Sequence, residues 1–171
     1  MSLSRRLALG ALALASMALA GLLFGAVDQL PERIATHFDV SGRPDGWSGR
    51  DGYVLSMLLF GYGLAAFIIG ILYASRFFPD SMVNVPNRDY WLTPERRPMI
   101  MATLLDFGLW MGALSIAFSA GTHWLILEAN RLDPPALAGP SLGVLVGVYM
   151  AGLLLVGVVH FVRYYRKPAA G

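Results

Sequence analysis

One carboxylate stands out because it lies inside an apolar run. Asp106 is the only Asp, Glu, Lys or Arg between Met99 and Leu127. A charged side chain at the centre of a spanning helix costs about 2.5–3.5 kcal/mol on insertion scales, so it is normally paired, hydrated or protonated. Ala113, Ala117 and Gly121 follow Asp106 on nearly the same helical face, which predicts that Asp106 points towards neighbouring helices.

His160 and Tyr149 extend this candidate intramembrane site. A following antiparallel helix would bring His160 to the same third of the membrane as Asp106, and Tyr149 lies about three turns before His160 on the same face. A contact between Asp106 and His160 is therefore expected. Two interpretations stay open: a proton-linked or polar-substrate site, and a structural hydrogen bond near the inner membrane surface. The sequence favours the structural one.

A second group of polar and aromatic side chains follows the first apolar run, in the loop from Leu30 to Trp47. The segment Arg43-Pro44-Asp45-Gly46 has turn chemistry, since Pro fixes φ and Gly accepts positive φ. If Ile34 to Val40 is extended, His37 and Asp39 project from one side. The candidate ligand- or partner-binding residues of this loop are His37, Phe38, Asp39, Asp45 and Trp47.

Metal and enzyme chemistry are not predicted. The ligand types required by Zn²⁺ occur in the outer cluster of His37, Asp39, Asp45, His123 and Glu128, but no closely spaced pair anchors them. The chain has no Cys, which removes disulfides, thiolate ligands and thiol nucleophiles. Since hydrolase, phosphate-loop, zincin and dinucleotide motifs are absent, we expect no cofactor, no metal and no enzymatic activity.

A second loop carries Asn84-Val85-Pro86-Asn87-Arg88-Asp89-Tyr90-Trp91-Leu92, followed by Thr93-Pro94-Glu95. Thr is a good helix cap, Pro suits the first helical position and Glu favours the positive helix end. The third helix is therefore predicted to begin near Pro94. The candidate partner-binding residues here are Asn87, Tyr90 and Trp91.

The elements that position these residues are predicted to be transmembrane helices. The chain has 171 residues, 56% hydrophobic and 14% charged, whereas a soluble domain has roughly 45–50% apolar and about 25% charged residues. Four apolar runs each reach the roughly 20 residues needed to span a bilayer, and only helices satisfy their own backbone groups there. We predict an all-α, integral membrane four-helix bundle, one domain of residues 1–171, with helices at about 7–27, 53–74, 94–127 and 141–163 and an ordered loop after the first.

Arginine and lysine residues predict the orientation of this bundle. Nine lie on one side: Arg5, Arg6, Arg76, Arg88, Arg96, Arg97, Arg163, Arg166 and Lys167. Four lie on the other: Arg33, Arg43, Arg50 and Arg131. The positive-inside rule then places both termini in the cytoplasm and the Leu30–Trp47 loop outside. An alternative is that the first run is a cleaved signal peptide ending near Ala20, but it continues to Val27, which favours a retained helix.

Small residues four apart predict close helix packing. They include Gly21 and Gly25, Gly108 and Gly112, and a stripe of Gly139, Gly143, Gly147 and Ala151. The stripe fits packing inside one bundle or the interface of a homo-oligomer, and with four helices available the first is favoured.

Two motifs resemble a bacterial family. They are Leu30-Pro31, Thr36-His37-Phe38, Ser41-Gly42 and Pro44-Asp45-Gly46-Trp47 after a first helix, and the Asn84–Leu92 segment. The first is similar to domain of unknown function 1648, as found in the N-terminal half of SdpI-type immunity proteins, and the second resembles a segment that follows in a subset of the same family. The resemblance implies a bacterial plasma (inner) membrane protein, and SdpI-type proteins protect the producing cell against a secreted peptide toxin. Those proteins carry further helices beyond this domain.

The leading functional hypothesis is therefore recognition, through the outer loop, of an envelope-active peptide or a partner membrane protein. The alternatives are a small proton-linked transporter or transporter subunit that uses Asp106, and a structural accessory subunit that packs through its glycine stripe. No nucleic-acid partner is expected, because the net charge is only +2 and no basic run occurs.

Overall fold

A computed structural model describes residues 1–165, without the side chains of residues 163–165. Arg166 and Lys167, which the orientation argument uses, lie outside the described residues. The helices are α1 (Leu3–Gly25), α2 (Arg50–Leu58), α3 (Leu64–Ala74), α4 (Arg88–Trp91), α5 (Arg97–Asn130) and α6 (Gly139–Tyr165). A π-helical turn (Leu59–Gly63) joins α2 to α3, and the strands are β1 (Arg33–Phe38) and β2 (Pro44–Gly49).

Four helical segments of the described chain are long and apolar enough to cross a membrane, which confirms the four predicted spans. They are Leu3–Gly25, Arg50–Phe77, Arg97–Asn130 and Gly139–Val162. Because every backbone group in hydrocarbon needs a partner within its own segment, this architecture is compatible with a membrane protein. The end with the hairpin of β1 and β2 is called the hairpin face. The opposite end, with Arg5, Arg76 and Arg97, is called the arginine face.

All four spanning helices begin two to four residues from their predicted positions, and the shifts of α1 and α5 have a local cause. α1 begins at Leu3 because Ser2 caps it, its hydroxyl accepting the Arg5 backbone N–H at 3.2 Å. α5 begins at Arg97 instead of Pro94, because the residues from Thr93 form a separate turn in which Arg96 and Arg97 both donate their N–H to the Thr93 carbonyl. Pro98 lies in the first turn of α5, where the missing N–H costs no hydrogen bond.

α5 is the central helix, and its glycines let α3 approach closely. A Cβ on Gly112 would lie 2.8 Å from Ile69 Cδ1, and a Cβ on Gly108 would lie 3.1 Å from Leu72 Cδ1. Since lipid tails are as apolar as these side chains, such close packing is what holds the helices together. The predicted packing role of Gly108 and Gly112 is confirmed.

α1 packs against α5 and the π-helical turn. Leu19 and Leu23 on α1 are fully buried, and a Cβ on Gly61 would overlap the Leu19 side chain at 2.5 Å. Tyr62, in the same π-helical turn, donates its hydroxyl to the Ser16 carbonyl at 2.8 Å. The turn therefore fits a glycine and a hydrogen-bonding tyrosine against one face of α1.

α6 lies on the outside of α5, which corrects the predicted four-helix bundle. Two contacts join it to α5: Leu145 of α6 lies over Gly121, and Gly152 of α6 lies against Leu114. No residue in its apolar spanning window is buried. The packed group is therefore formed by α1, the α2–α3 segment and α5, because the small residues of α5 admit close neighbours on both sides while α6 has a neighbour on one side.

The glycine stripe of α6 does not pack inside the bundle. Space is open around the Cβ positions of Gly139, Gly143 and Gly147, so the favoured interpretation of this stripe is wrong. Gly21 and Gly25 on α1 have equally open surroundings. Small residues at a spacing of four allow close packing, but they do not determine which of them receives a neighbour.

The loop after α1 forms a β-hairpin, so the all-α prediction is incomplete. β1 pairs antiparallel with β2, from Arg33 opposite Gly49 to Phe38 opposite Pro44, with bulges around His37. The expectation of an extended segment from Ile34 is correct as far as Phe38. The register shifts around His37 and a Pro/Gly-rich second strand hide this hairpin from a search for alternating hydrophobicity.

The hairpin tip is attached to the loop between α5 and α6. Gly42 adopts φ +80 and its carbonyl accepts the Leu137 N–H at 3.0 Å. A Cβ at Gly42 would overlap the Leu137 carbonyl oxygen. Only glycine fits both the left-handed backbone and this close approach.

Gly42→Ala should lower the free energy of unfolding by about 1–2 kcal/mol, because an L-residue is strained in the left-handed region and the Cβ would push Leu137 away. Unfolding in mixed micelles measures the loss, and faster amide exchange at Leu137 would locate it. Gly143→Ala is the control, since its Cβ meets open space. Equal losses for the two variants would contradict the role given to the tip.

Candidate functional site

The hairpin is clamped to the end of α5 by one amide side chain. Asn130 accepts the Ala35 N–H through Oδ1 at 2.8 Å and donates Nδ2 to the Ala35 carbonyl at 2.9 Å. The same Nδ2 donates to the Ile126 carbonyl at 2.8 Å. Asn130 thus occupies the outer edge of β1 in the manner of a neighbouring strand.

A small apolar core supports the hairpin from below. It consists of Leu30, Ile34, Tyr53, Ile126 and Leu127. Beside it Tyr53 Oη lies 2.5 Å from His123 Nδ1 in a buried hydrogen bond, and the two rings stack with centroids 5.6 Å apart. The hairpin therefore packs on a buried, mainly apolar cluster formed by the start of α2 and the end of α5.

The outward side of the hairpin presents charged and aromatic groups. His37 Nδ1 pairs with the Asp45 carboxylate across the strands, and both side chains are half or more exposed, at 74% and 49%. Trp47 is 40% exposed, with the Arg33 guanidinium 5.1 Å from its ring centroid. Three of the five loop residues predicted as binding residues are thus accessible: His37 and Asp45 as a pair, and Trp47 beside Arg33.

Asp39 and Phe38 have different surroundings. The Asp39 carboxylate accepts the Ser41 N–H at 2.8 Å, the Ser41 hydroxyl at 2.7 Å and the Arg43 N–H at 2.9 Å. These bonds, the Ser41 hydroxyl foremost, hold the pKa of Asp39 below its ordinary value. Asp39 therefore shapes the turn. Phe38 is half-buried and lines a groove of about 330 Å³ against the start of α6.

The strand register turns backbone N–H and C=O groups of β2 outward, away from β1. In an antiparallel pair, residues directly opposite each other point their N–H and C=O either both inward or both outward. Ala35 points outward, because Asn130 holds its N–H and C=O. Its partner Trp47 must therefore point its own N–H and C=O away from β1. Such an edge is a template for another extended segment.

The five residues considered for zinc are not brought together. His123 is buried with Tyr53, Asp39 belongs to the turn, and Glu128 pairs with Arg131. Within residues 1–165 no group of three His, Asp or Glu side chains is placed to hold a metal ion. Only His37 and Asp45 of that set are adjacent.

Asp106 is paired at the arginine face with the start of α1. Its Oδ1 accepts Arg5 Nε at 2.5 Å and its Oδ2 accepts the Ser2 hydroxyl at 3.0 Å. Arg5 Nη2 also donates to the Ala102 carbonyl at 2.6 Å. The Asp106 side chain is 7% exposed, as predicted for a group facing other helices, but its partner is an arginine.

The predicted contact between Asp106 and His160 is wrong. His160 Nδ1 bonds the Val156 carbonyl at 2.9 Å within its own helix, and its ring packs on Phe107 with centroids 4.8 Å apart. Tyr149 lies over Phe118 and its hydroxyl is 3.4 Å from Ser115 Oγ. These three residues therefore belong to separate contacts, because α6 meets the side of α5 that Asp106 does not occupy.

The three residues predicted in the second loop shape that loop. Trp91 is buried, with 6% of its surface exposed, in a cluster with Val83, Val85, Leu92, Ile100 and Met101. Tyr90 packs edge-on against Trp91 and lies under the Arg96 guanidinium, 4.0 Å from the ring centroid. Asn87 adopts the left-handed backbone with φ 52 before α4, and its carbonyl accepts the Tyr90 and Trp91 N–H groups. All three take part in folding the loop against α5.

Sequence reasoning missed Asn130, Arg5, Ser2 and the Tyr53–His123 pair. Asn130 had a usable signal, since an amide three residues past the end of a long apolar run needs hydrogen-bond partners in the protein or in water. Arg5 was counted only as a topology signal, although its position in the first turn of α1 also places it at the end of the bundle where the parallel helix α5 begins. The hairpin register, which exposes the β2 edge, had no such signal.

A protein-family model described as "Domain of unknown function (DUF1648)" matches residues 12–61, the stretch from the middle of α1 through the hairpin to the π-helical turn. No curated protein matches the chain, and no solved structure matches it. The match covers the hairpin and the first two helices that hold it.

Proposed function

We propose that this protein is a non-enzymatic membrane receptor that binds an extended peptide segment on the hairpin face. The observation that carries the proposal is the unequal edges of the hairpin: Asn130 occupies the edge of β1, whereas β2 turns the Trp47 backbone outward beside an exposed indole. Strand addition takes its affinity from main-chain hydrogen bonds and its specificity from alternate side chains.

The charge of the hairpin face favours a cationic peptide. Residues 28–51 contain five acids (Asp28, Glu32, Asp39, Asp45, Asp51) against three arginines (Arg33, Arg43, Arg50), a formal difference of −2. Opposite charge speeds encounter and selects against anionic competitors. The resemblance to SdpI-type immunity proteins supports an envelope-active peptide as the ligand, since a secreted peptide reaches that side of the membrane.

The hairpin face is proposed to be extracytoplasmic, with both termini in the cytoplasm of a bacterial cell. The support is the excess of nine Arg and Lys residues over four on short connections. Reporter fusions test it: those before Arg5, near Asp89 and after Lys167 should report the cytoplasm, and one near Asp45 should report the outside. The opposite result at Asp45 would remove the basis for an extracellular ligand.

Trp47→Ala should weaken peptide binding about tenfold, because a half-exposed tryptophan beside the strand edge is the side chain best suited to anchor an added strand. The probe is a phage-displayed library of ten-residue peptides, selected on the purified full chain in nanodiscs, with the affinities of enriched peptides measured afterwards. Val40→Ala is the matched control, since Val40 is fully exposed at the tip away from the edge. Failure to enrich any peptide, or equal binding by both variants, would contradict the proposal.

A second candidate function is an accessory role as a homo-oligomer through α6. The observation that favours it is the open space around Gly139, Gly143 and Gly147, since a bare small-residue stripe lets another helix approach closely in lipid. Mass measurement in nanodiscs tests it: a dimer that Gly143→Leu dissociates would support it, and a monomer would not.

The proton-linked transporter through Asp106 has less support. Asp106 already has Arg5 and Ser2 as partners, and His160 and Tyr149 are engaged elsewhere. A carboxylate held by an arginine and a hydroxyl is satisfied as an ion, which favours a structural role.

A further inference from the structure

Three arginines from three segments converge on one pocket at the arginine face. Arg5 comes from α1, Arg76 from the 3₁₀ turn after α3, and Arg97 from the first residue of α5. They line a pocket of about 390 Å³ with Pro94, Pro98, Met101 and Ala102.

The three guanidinium groups differ in the donors that they can offer. Arg97 uses Nε on Asp80 at 2.9 Å, Nη1 on the Arg76 carbonyl at 3.1 Å and Nη2 on the Phe78 carbonyl at 2.7 Å. Its role is therefore to fix the wall of the pocket. Arg5 is held through Nε and Nη2 by Asp106 and Ala102, so both N–H groups of Nη1 and the second N–H of Nη2 retain donor capacity.

Arg76 is the arginine with the most donor capacity. It bonds the Tyr73 carbonyl through Nε at 3.1 Å, and its guanidinium carbon lies 3.6 Å from the Tyr73 ring centroid. These contacts orient the guanidinium plane while its two terminal amino groups stay available for a ligand. Arginine presents such donors as a rigid fork that matches phosphate oxygens.

The pocket carries a positive balance. Three guanidinium groups line it, and two carboxylates, Asp106 and Asp80, contact them, which leaves one positive charge. The N-terminus of α5, a helix of 34 residues, begins at Arg97 and adds the positive end of its dipole. An anion is therefore the ligand that this site favours.

The remaining walls are apolar. Pro94, Pro98, Met101 and Ala102 line the pocket beside the charged groups, and it opens where three spanning segments begin or end. A ligand with an anionic head and an apolar body fits both parts. Basic pockets between transmembrane helices at a membrane surface bind anionic lipid headgroups in this way.

We propose that this pocket binds the headgroup phosphate of an anionic phospholipid, with Arg76 as the principal phosphate ligand and Arg5 as the second. Arg5 would then join the lipid to the Asp106 pair, so that lipid binding stabilises the attachment of α1 to α5. The shared chemistry is an anionic phosphate group; the membrane position and the apolar walls select the phosphodiester of a lipid over soluble phosphate.

The test uses the purified full chain in detergent, titrated with dioleoylphosphatidylglycerol or dioleoylphosphatidylcholine and observed by native mass spectrometry. We expect saturable binding of one phosphatidylglycerol at least fivefold tighter than phosphatidylcholine, and about fivefold weaker binding by Arg76→Gln, as expected for one arginine at a lipid surface. Arg88→Gln is the matched control, because Arg88 donates to the Asp80 carbonyl at the same face without lining the pocket.

Three outcomes would overturn the proposal: equal binding of the two lipids by the wild-type protein, unchanged binding by Arg76→Gln, or an equal loss in Arg88→Gln. Displacement of phosphatidylglycerol by millimolar inorganic phosphate would assign the pocket to a soluble phosphate instead. The comparison of the two lipids uses the wild-type protein alone, so it tests the preference for an anionic lipid even if Arg76→Gln does not fold.

Discussion

Arg5→Ala should lower the free energy of unfolding by about 2–4 kcal/mol. The change leaves the Asp106 carboxylate, 7% exposed, with Ser2 as its remaining side-chain partner, and an uncompensated buried charge is strongly destabilising. The lower part of the range allows for Arg5 being 25% exposed, where solvent already screens the pair. Unfolding of the reconstituted protein by added SDS, followed by tryptophan fluorescence, gives the measurement.

Arg6→Ala is the internal control, because Arg6 is the exposed neighbour on the same turn and should cost less than 0.5 kcal/mol. The double variant Arg5→Met with Asp106→Leu should recover most of the loss, since replacing both ions of a buried pair by apolar groups is often neutral. An Arg5→Ala variant as stable as Arg6→Ala would show that Asp106 does not depend on α1.

The same variants bear on the two interpretations of Asp106. A structural pair predicts that the double variant folds and keeps peptide binding on the hairpin face. A proton-linked transporter predicts that Asp106→Asn abolishes transport even when stability is retained. Because the two readouts are separate, one set of proteins distinguishes them.

Asn130→Ala should release the hairpin and lower the free energy of unfolding by about 2–3 kcal/mol. It removes three hydrogen bonds, two to Ala35 and one to Ile126, at about 1 kcal/mol each. The local effect should exceed the global one, with faster amide exchange from Arg33 to Phe38 and new protease cleavage near the tip.

Asn130→Asp distinguishes the acceptor role of the Asn130 side chain from its donor role. A carboxylate keeps the acceptor for the Ala35 N–H but loses both Nδ2 donors and faces the Ala35 carbonyl with like polarity. We expect an exchange rate at least as high as in Asn130→Ala. Unchanged protection of Ala35 in both variants would show that the hairpin is held by its apolar cluster alone.

The spans were predictable because length and apolarity suffice to identify a transmembrane helix. What each polar residue contacts was not predictable, because that depends on which helix faces which. The sequence could place Asp106 on an inward face, yet Arg5 and His160 were both at suitable depths, and only the neighbourhood of α1, α5 and α6 decides between them. The glycine pairs of α5 and α6 show the same limit: the spacing is alike, but Gly108 and Gly112 receive a neighbour while Gly139, Gly143 and Gly147 do not.

The hairpin surface was predictable in part. Turn chemistry from Arg43 to Gly46 and the polar and aromatic side chains of the loop indicated His37, Asp45 and Trp47, which are accessible in the structure. The contact that orders them comes from Asn130, 95 residues after Ala35, and no local pattern reports a partner so distant. Trp91 illustrates the opposite error, since an aromatic residue in a polar loop is as able to form that loop's own core as to meet a ligand.

The length of α5 sets the height of the hairpin above the lipid. A helix of 34 residues is about 50 Å long, whereas the hydrocarbon layer is about 30 Å thick. At an ordinary tilt of about 20°, roughly 15 Å of it must stand clear of the acyl chains, shared between the two sides. Asn130, the last residue of α5, holds β1 at this end of the helix. Under the proposed function, the strand edge would then lie at headgroup level, where a peptide can bind while it stays in contact with water.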